Sequence, residues 1–220
     1  RADFHGSAAE QLDAHVELFR LLPASAAAIV NRDDPAHEMF VEATRARVLA
    51  YGLDAHADVR GSIRRMDDRG LDIDVRTPLG RATLRSPLVG RASASNLLGA
   101  LATAIALGAD FEAAIDALAA VEVVPGRMER VDGGGPIGVF VDYARTAAAF
   151  EQALATARGL AKGRVVVVFG AGGDRPKALR ARLGRVADRL ADAAVVTSDH
   201  PRSENAADLI AGVVAGFARL

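Results

Sequence analysis

The stretch that decides the fold is GRVVVVFGAGGDR, at residues 163–175. Four valines and a phenylalanine run into a glycine cluster. This pattern is typical of a strand buried on both faces that ends in a tight turn and leads into a helix. In an open α/β sheet, ligands bind at the carboxyl ends of the strands. The glycine cluster is therefore predicted to lie at a binding edge.

Two more turns are predicted to reach the same edge. The sequence VDYART, residues 141–146, precedes the decisive stretch, and SDHPRSE, residues 198–204, follows it. Strand and helix alternate strictly here, with strands expected at 137–141, at the valine run and at 194–197. This order predicts a parallel sheet with right-handed crossovers. Three strand-to-helix turns that carry Asp, Arg and Thr side chains predict one shared site.

The first half of the chain has a different pattern. Apolar residues alternate with polar ones over residues 57–84, around turns at 67–70 and 78–80. We interpret this segment as antiparallel hairpins with one solvated face. The other elements predicted in this half are helices at 8–20, 35–45, 95–106 and 111–120, and strands at 26–30 and 48–51.

Two local signals mark helix starts and a boundary. Asp33 or Asp34 is expected to cap the second helix, with Pro35 near its first turn. Pro125 and Gly126 then interrupt the helical pattern. We therefore expect two domains, at residues 1–123 and 124–220.

Composition restricts the function classes. The chain has 220 residues, half of them apolar, and a net charge of −1, which gives no long-range attraction to nucleic acid or anionic membranes. It has no cysteine, which excludes disulfides and thiolate metal sites. No apolar run approaches the ~20 residues that span a bilayer. We expect a cytoplasmic protein with no nucleic-acid partner and no membrane insertion, and residues 1–6 suggest a fragment.

Several candidate residues have two interpretations from spacing alone. Gly170, Gly172 and Gly173 allow an anion to approach the backbone, or form a plain tight turn; their spacing fits neither a P-loop nor a dinucleotide fingerprint. Arg175 and Arg202 can each bind a carboxylate or phosphate through two hydrogen bonds, or lie solvated at the surface.

The remaining candidates also stay open. Asp142 ends a strand and can orient a cation or a ribose, or cap the next helix. Asn31 with Asp34 reads by spacing as an ordinary turn and N-cap. His15 lies on the apolar stripe of its helix, which favours a core or interface histidine over a ligand, and no metal-binding spacing appears.

Taken together, the motifs resemble the Mur ligase family, and within it the branch that adds the third amino acid to UDP-N-acetylmuramoyl-dipeptide. Their order and spacing fit along almost the whole chain. The residues that carry the resemblance are 3–6 (DFHG), 31–34 (NRDD), Asn96, 125–130 (PGRMER), 141–144 (VDYA), 172–175 (GGDR) and 199–204 (DHPRSE).

The resemblance implies a fold and a reaction. Residues 1–123 would be the latter part of a central ATPase domain, an α/β domain with a mixed sheet, antiparallel hairpins and helices. Residues 124–220 would begin a Rossmann-like C-terminal domain with a parallel sheet, which binds the amino acid. ATP, with Mg²⁺, would convert the carboxylate of UDP-MurNAc-L-alanyl-D-glutamate into an acyl phosphate, and the amine of meso-diaminopimelate would attack it in peptidoglycan synthesis.

The resemblance also implies residue roles. Asn31 and Asp34 would lie near the adenine of ATP. Arg127, Asp142 and Arg145 would contact its phosphates and ribose. The incoming amino acid would be bound by the last two loops, through Arg175, Asp199, His200 and Arg202. The Asp-x-Pro-Arg form of the last motif is the one that goes with diaminopimelate, because an arginine suits a second carboxylate that lysine lacks. The resemblance assigns no catalytic residue and no metal ligand.

The sequence also departs from the family pattern. It contains neither the phosphate-binding Gly-Lys-Thr/Ser loop nor the Gly-Lys-Gly-His-Glu segment, so this chain by itself is expected not to turn over ATP. His15 stands in place of a lysine that becomes carbamylated and binds magnesium, Arg145 in place of a histidine, and His200 in place of an asparagine. Two alternatives follow: a non-catalytic Mur-ligase-like binding or regulatory protein, and a related ligase with another amino-acid substrate.

Overall fold

The computed structural model describes residues 7–54, 56–131 and 137–218. The chain divides into two compact units, Arg1–Glu122 and Val123–Leu220, here called the N-terminal and C-terminal units. The opening motif at residues 3–6 lies outside the described residues. None of the described helices is both long and apolar enough to span a membrane.

The N-terminal unit is built on a five-stranded mixed sheet in the order β1-β2-β3-β4-β5. The first three strands run parallel to one another and the last three form an antiparallel meander. The elements are α1 (Ala8–Arg20), β1 (Ala27–Asn31), α2 (His37–Ala43), β2 (Arg47–Gly52), β3 (Val59–Asp67), β4 (Gly70–Thr77), β5 (Gly80–Ser86), α3 (Arg91–Ala106) and α4 (Phe111–Ala119).

The predicted hairpins are confirmed as β3, β4 and β5. Alternate residues of β4, including Leu71, Ile73 and Val75, are buried, while Asp72 binds Arg65 on the other face. Helix α3 covers the buried face with Leu98 and Leu101. Because one face of these hairpins is apolar and the other is charged, the alternation of apolar and polar residues could be recognised in the sequence.

The start of α2 was predicted wrongly. Its N-cap is Ala36, with no side-chain cap, and the helix begins only at His37. Asp34 Oδ1 instead accepts the N–H of Ala36 at 2.8 Å, which closes a turn before the helix, and Asp33 binds backbone at the end of β2. Helix α3 also begins at Arg91, four residues before the predicted position.

His15 is exposed, so it is not a core histidine, and its interpretation as an interface histidine stays a prediction. Helix α1 buries only a narrow part of its apolar stripe. Val16 is buried, and the ring of Phe19 lies 4.8 Å from that of Phe40 in α2. The contact is too narrow to cover the neighbouring turn of the helix, where His15 lies.

The described residues of the C-terminal unit form two short sheets and three helices. Its elements are β6 (Glu129–Val131), β7 (Val139–Val141), α5 (Ala147–Leu160), β8 (Val166–Phe169), α6 (Lys177–Leu190), β9 (Ala193–Val196) and α7 (Ala206–Val214). Strands β8 and β9 are parallel, as predicted, and the helices contribute Phe150, Leu183, Val186 and Val213 to a shared core.

Two details of the predicted parallel sheet were wrong. Among the described residues, β7 pairs antiparallel with β6, because the segment after Gly126 returns beside β7 and takes its backbone hydrogen bonds. Strand β8 is not buried on both faces: Val166 and Val168 are 55% and 66% exposed. Only its other face, with Val167 and Phe169, packs into the core, so burial follows the period of two of a strand.

Candidate functional site

Two of the three turns predicted to share an edge, the loops that follow β8 and β9, are in contact. The N–H of Gly173 donates to the carbonyl of His200 at 3.1 Å. A Cβ at Gly170 would lie 2.5 Å from the carbonyl oxygen of Thr197, and one at Gly173 only 1.9 Å from that of Pro201. These two glycines are required by the neighbouring loop, and only Gly172 keeps an open approach.

An ion pair between a buried arginine and a partly exposed glutamate ties the same loops together. Arg180 in α6 is 4% exposed, and its Nη2 donates to both carboxylate oxygens of Glu204, at 2.6 and 2.7 Å. Glu204 Oε1 also accepts the N–H of Asp174 at 2.8 Å. The hydrogen bond from Arg180, and then that from Asp174, hold the pKa of Glu204 below its usual value.

Sequence reasoning missed this pair. It counted Glu204 only as the end of a motif and gave Arg180 no role. A signal was present, because Arg180 lies three residues before Leu183, on the buried side of an amphipathic helix. A charged residue at such a position is seldom fully buried unless it is paired.

The residues predicted to bind the incoming amino acid lie in these two loops. Arg175 follows Asp174 in the first loop and is half-buried, whereas His200 and Arg202 in the second are exposed. The ring Nδ1 of His200 lies 2.6 Å from Asp199 Oδ1. The structure thus brings together the two loops that carry these side chains.

Left-handed backbone is concentrated in the same loops. Asp174, His200 and Arg202 have φ angles of 57°, 43° and 53°. A non-glycine residue in this region costs about 1–3 kcal/mol and persists only when the surrounding structure holds it there. Such strain is typical of ligand clamps and active sites.

A second cluster surrounds Tyr143, after β7. The guanidinium carbon of Arg145 lies 4.1 Å from the centre of the Tyr143 ring, and that of Arg127 lies 5.9 Å from it. Asp142 Oδ2 accepts the N–H of Met128 at 2.9 Å, and the N–H of Tyr143 donates to the Gly126 carbonyl at 2.8 Å. The three residues predicted to contact ATP phosphates and ribose are therefore neighbours.

This geometry settles one open alternative. Asp142 does not cap α5, because Thr146 Oγ1 accepts the N–H of Ala149 at 3.2 Å and fills that role. Arg127, Tyr143 and Arg145 are exposed. Two cations beside an accessible aromatic face suit a ligand that combines phosphates with a planar ring.

The third cluster follows β1 in the N-terminal unit. Asn31 Oδ1 accepts the N–H of Asp33 at 3.1 Å, and Asp34 N–H donates to the Asn31 carbonyl. The carboxylate of Asp33 accepts the N–H groups of Leu53 and Asp54 at 2.6 and 3.1 Å. Asp33 thereby fixes the loop that presents Asn31 and Asp34.

The aspartates of this loop also act on Tyr51. Burial first, and then the negative charges of Asp33 and Asp34, raise the pKa of the Tyr51 hydroxyl. The phenol therefore stays protonated to a higher pH than an ordinary tyrosine does. The cluster combines amide, carboxylate and phenol groups, which can bind a heterocycle through hydrogen bonds.

Two family models match successive parts of the chain. A model described as the Mur ligase middle domain matches residues 2–104. A model described as the Mur ligase, glutamate ligase domain matches residues 126–219. The second match covers the Tyr143 cluster and both loops beyond β8 and β9.

Curated relatives extend the comparison. A UDP-N-acetylmuramyl-tripeptide synthetase from Roseiflexus sp. (strain RS-1) is 41% identical over 97% of this chain and 44% of its own length. A UDP-N-acetylmuramoyl-L-alanyl-D-glutamate--2,6-diaminopimelate ligase from Thermosynechococcus vestitus is 40% identical over 98% of this chain and 44% of its own. The chain thus spans less than half the length of these relatives.

Solved structures show a similar fold. A structure of a UDP-N-acetylmuramoyl-L-alanyl-D-glutamate--2,6-diaminopimelate ligase superimposes with a TM-score of 0.63 at 28% identity, over 97% of this chain and 45% of that one. MurF from Acinetobacter baumannii superimposes with a TM-score of 0.75 at 23% identity, over 97% and 46%. The second likeness concerns the fold alone.

Proposed function

The chain belongs to the Mur ligase family, and from this premise we propose that it acts in an ATP-dependent ligase that adds meso-diaminopimelate to UDP-N-acetylmuramoyl-L-alanyl-D-glutamate during peptidoglycan synthesis. Relatives about 40% identical bear the name of that reaction. The observation that carries the proposal is the contact between the loops after β8 and β9, which carry Arg175 and Arg202. We assign the N-terminal unit to the ATPase domain and the C-terminal unit to the amino-acid-binding domain.

The choice of amino acid rests on charge. Diaminopimelate has a carboxylate at each end, whereas lysine ends in an ammonium group. Arg175 and Arg202 supply two guanidinium groups, each able to bind a carboxylate through two parallel hydrogen bonds. A site with two arginines discriminates against lysine, because the ammonium group would meet a cation.

The reaction needs activation, because a carboxylate is a poor electrophile. ATP supplies the phosphoryl group that turns the carboxylate into an acyl phosphate, which the amine then attacks. The Tyr143 cluster fits the phosphates of such a ligand, since Arg127 and Arg145 offset negative charge there. Asn31 and Asp34 bind the adenine of ATP. The reaction takes place in the cytoplasm.

The described residues give less support to a bound magnesium ion than to a bound ATP. The described residues contain no group of three or more His, Asp or Glu side chains that could hold a metal. His15, at the position of the family's carbamylated lysine, is exposed on α1, and an imidazole does not become an acidic ligand. The residues described here do not fit the ion, and no step of the proposal runs through it.

One observation favours a second candidate, a non-catalytic protein that keeps the nucleotide pocket. Arg145 replaces a titratable histidine and is held over the Tyr143 ring. A guanidinium group stays charged at all physiological pH values, so it binds phosphate but exchanges no proton. Binding of ATP without turnover would follow from that substitution.

Phosphate release by the complete protein distinguishes the candidates. The assay contains ATP, UDP-MurNAc-dipeptide and either meso-diaminopimelate or L-lysine. The proposed ligase releases phosphate only when diaminopimelate is present. Release with lysine alone would remove the role given to Arg202, and ATP binding without release would favour the non-catalytic candidate.

A further inference from the structure

We infer that Arg180 and Glu204 are positioning residues whose ion pair, buried on the Arg180 side, fixes the loop after β9 against the loop after β8 and so sets the affinity for the incoming amino acid. The inference rests on the proposed function for the identity of that ligand. It concerns residues that bind no substrate themselves.

The pair joins three separate elements through one carboxylate. Glu204 belongs to the loop after β9, and Arg180 Nη2 reaches it from α6 at 2.6 and 2.7 Å. The N–H of Asp174, in the loop after β8, donates to Glu204 Oε1 at 2.8 Å. Displacement of Glu204 would therefore break contacts to a helix and to the other loop at once.

Burial makes the tie strong. Arg180 is 4% exposed, and its aliphatic stem packs on α7 so closely that a Cβ at Gly212 would lie 2.9 Å from Arg180 Cδ. The Glu204 side chain is 25% exposed, but its removal would leave the buried guanidinium group of Arg180 without a compensating charge. The buried guanidinium group of Arg180 therefore holds the Glu204 carboxylate in place.

The pair also explains how strained residues persist beside it. His200 and Arg202 have left-handed backbone, as does Asp174 in the opposite loop. The hydrogen bond from Gly173 to His200 holds one end of this segment, and Glu204 holds the other. Without Glu204, the backbone is free to relax, and the side chain of Arg202 moves with it.

Glu204 itself is already engaged. Both of its oxygens accept hydrogen bonds from Arg180, and one also accepts the Asp174 N–H. Its charge is compensated by a buried guanidinium group. It therefore acts through the loop and not on the amino acid directly, which separates its role from those of Arg175 and Arg202.

The test compares Michaelis constants in the complete protein. Glu204→Gln keeps the shape of the side chain but removes the charge and one acceptor. We expect the KM for diaminopimelate to rise about tenfold, as the loss of a charged hydrogen bond predicts. The KM for ATP is expected to change by less than about twofold, since that site does not depend on the pair.

A matched control lies at the opposite end of the same strands. Asp192 Oδ2 accepts the N–H of Val165 at 2.7 Å and pairs with Arg158 at 2.8 Å, so it also joins an arginine to a backbone amide. Asp192→Asn is expected to leave both Michaelis constants unchanged. An equal rise in the diaminopimelate KM for this control would overturn the inference.

A second variant separates positioning from stability. Arg180→Met combined with Glu204→Leu replaces the pair, including the buried charge of Arg180, by apolar groups, a change that is often neutral for folding. The Asp174 amide then loses its partner, so its hydrogen exchange should accelerate and the diaminopimelate KM should stay raised. Unchanged exchange, or faster exchange with an unchanged KM, would overturn the inference.

Failure of the proposed function has a different signature. If the wild-type protein uses lysine in place of diaminopimelate, the proposed substrate is wrong, and the pair is judged by the KM for lysine. If the wild-type protein releases no phosphate with either, the proposed ligase fails. The pair is then tested by hydrogen exchange at the Gly173 and Asp174 amides. If the pair ties the loops together, this exchange is faster in both variants than in the wild type.

Discussion

Tyr143 organises two cations that are distant in sequence from each other. The guanidinium groups of Arg127 and Arg145 both lie within cation–π range of its ring, 5.9 and 4.1 Å from its centre. The ring is itself held by the backbone hydrogen bond from Tyr143 to Gly126. Tyr143 was quoted as part of a motif but given no role, because spacing does not reveal that two arginines share one ring.

Removal of the ring should weaken ATP binding. An exposed cation–π contact contributes about 0.5–1 kcal/mol, so Tyr143→Ala should raise the KM for ATP about two- to fivefold, whereas Tyr143→Phe should leave it nearly unchanged. Steady-state kinetics of the complete protein measure both. Equal values for the Ala variant and the wild type would show that the ring does not position the arginines.

We propose that the choice of substrate depends on Arg202. Arg202→Ala should raise the KM for diaminopimelate by about ten- to a hundredfold, because a charged hydrogen bond contributes about 1.5–3 kcal/mol. Arg182→Ala, at an exposed position of α6, serves as the control and should have no effect. A diaminopimelate KM that stays constant in the Arg202 variant would contradict the assignment.

Helices α6 and α7 approach each other through glycines. A Cβ at Gly184 would lie 2.1 Å from the carbonyl oxygen of Val213, and one at Gly216 would lie 2.1 Å from that of Ala181. This close contact also brings Arg180 against Gly212. The α6–α7 contact thus holds in place the helix that supports the loop of Glu204.

Two glycine substitutions should have opposite effects on stability. Gly184→Ala should destabilise the protein by about 1–3 kcal/mol, because the methyl group overpacks the helix contact. Gly159→Ala, in α5 where nothing lies within 4 Å, should stabilise it by about 0.5–1 kcal/mol through helix propensity. Urea unfolding measures both, and a stabilising Gly184→Ala would show that the contact is looser than described.

The starts of β8 and β9 are joined by Asp192. Its pKa is lowered by the Val165 N–H and by Arg158. A carboxyl group with a lowered folded-state pKa stabilises fully above its ordinary pKa, and this stability is lost as the pH falls through the folded value. The stabilisation is therefore complete at pH 7 and decreases below about pH 4.

Asp192→Asn tests this pH dependence. The difference in unfolding free energy between wild type and variant should be largest at neutral pH and should shrink towards pH 3. Urea midpoints measured across that range give the comparison. A difference that stays constant with pH would show that the carboxylate charge contributes nothing.

The elements differ in how far sequence could predict them. The hairpins β3–β5 were predictable because turns and alternation are local signals. The burial of β8 could not be predicted from the sequence, because the exposure of Val166 and Val168 depends on which elements cover that face. The predicted N-cap of α2 was wrong for a similar reason, because Asp33 binds the N–H groups of Leu53 and Asp54, about 20 residues away.

At the scale of the whole molecule, the ordered motifs predicted more than any single one. The family models match 2–104 and 126–219, and the chain divides at Glu122. Each motif alone had an ordinary structural interpretation, and Gly170 and Gly173 indeed serve loop packing. The contacts that tie the motifs together, above all Arg180 with Glu204, needed coordinates because they cross from one element to another.

The central claim is that two arginines in adjoining loops select an amino acid with two carboxylates. A competition experiment measures this selectivity directly. The complete protein is incubated with ATP, UDP-MurNAc-dipeptide and equal amounts of meso-diaminopimelate and L-lysine. The mass of the nucleotide product is then measured by mass spectrometry. We expect a product heavier by one diaminopimelate residue. A product that carries lysine, or an unmodified dipeptide precursor, would contradict it.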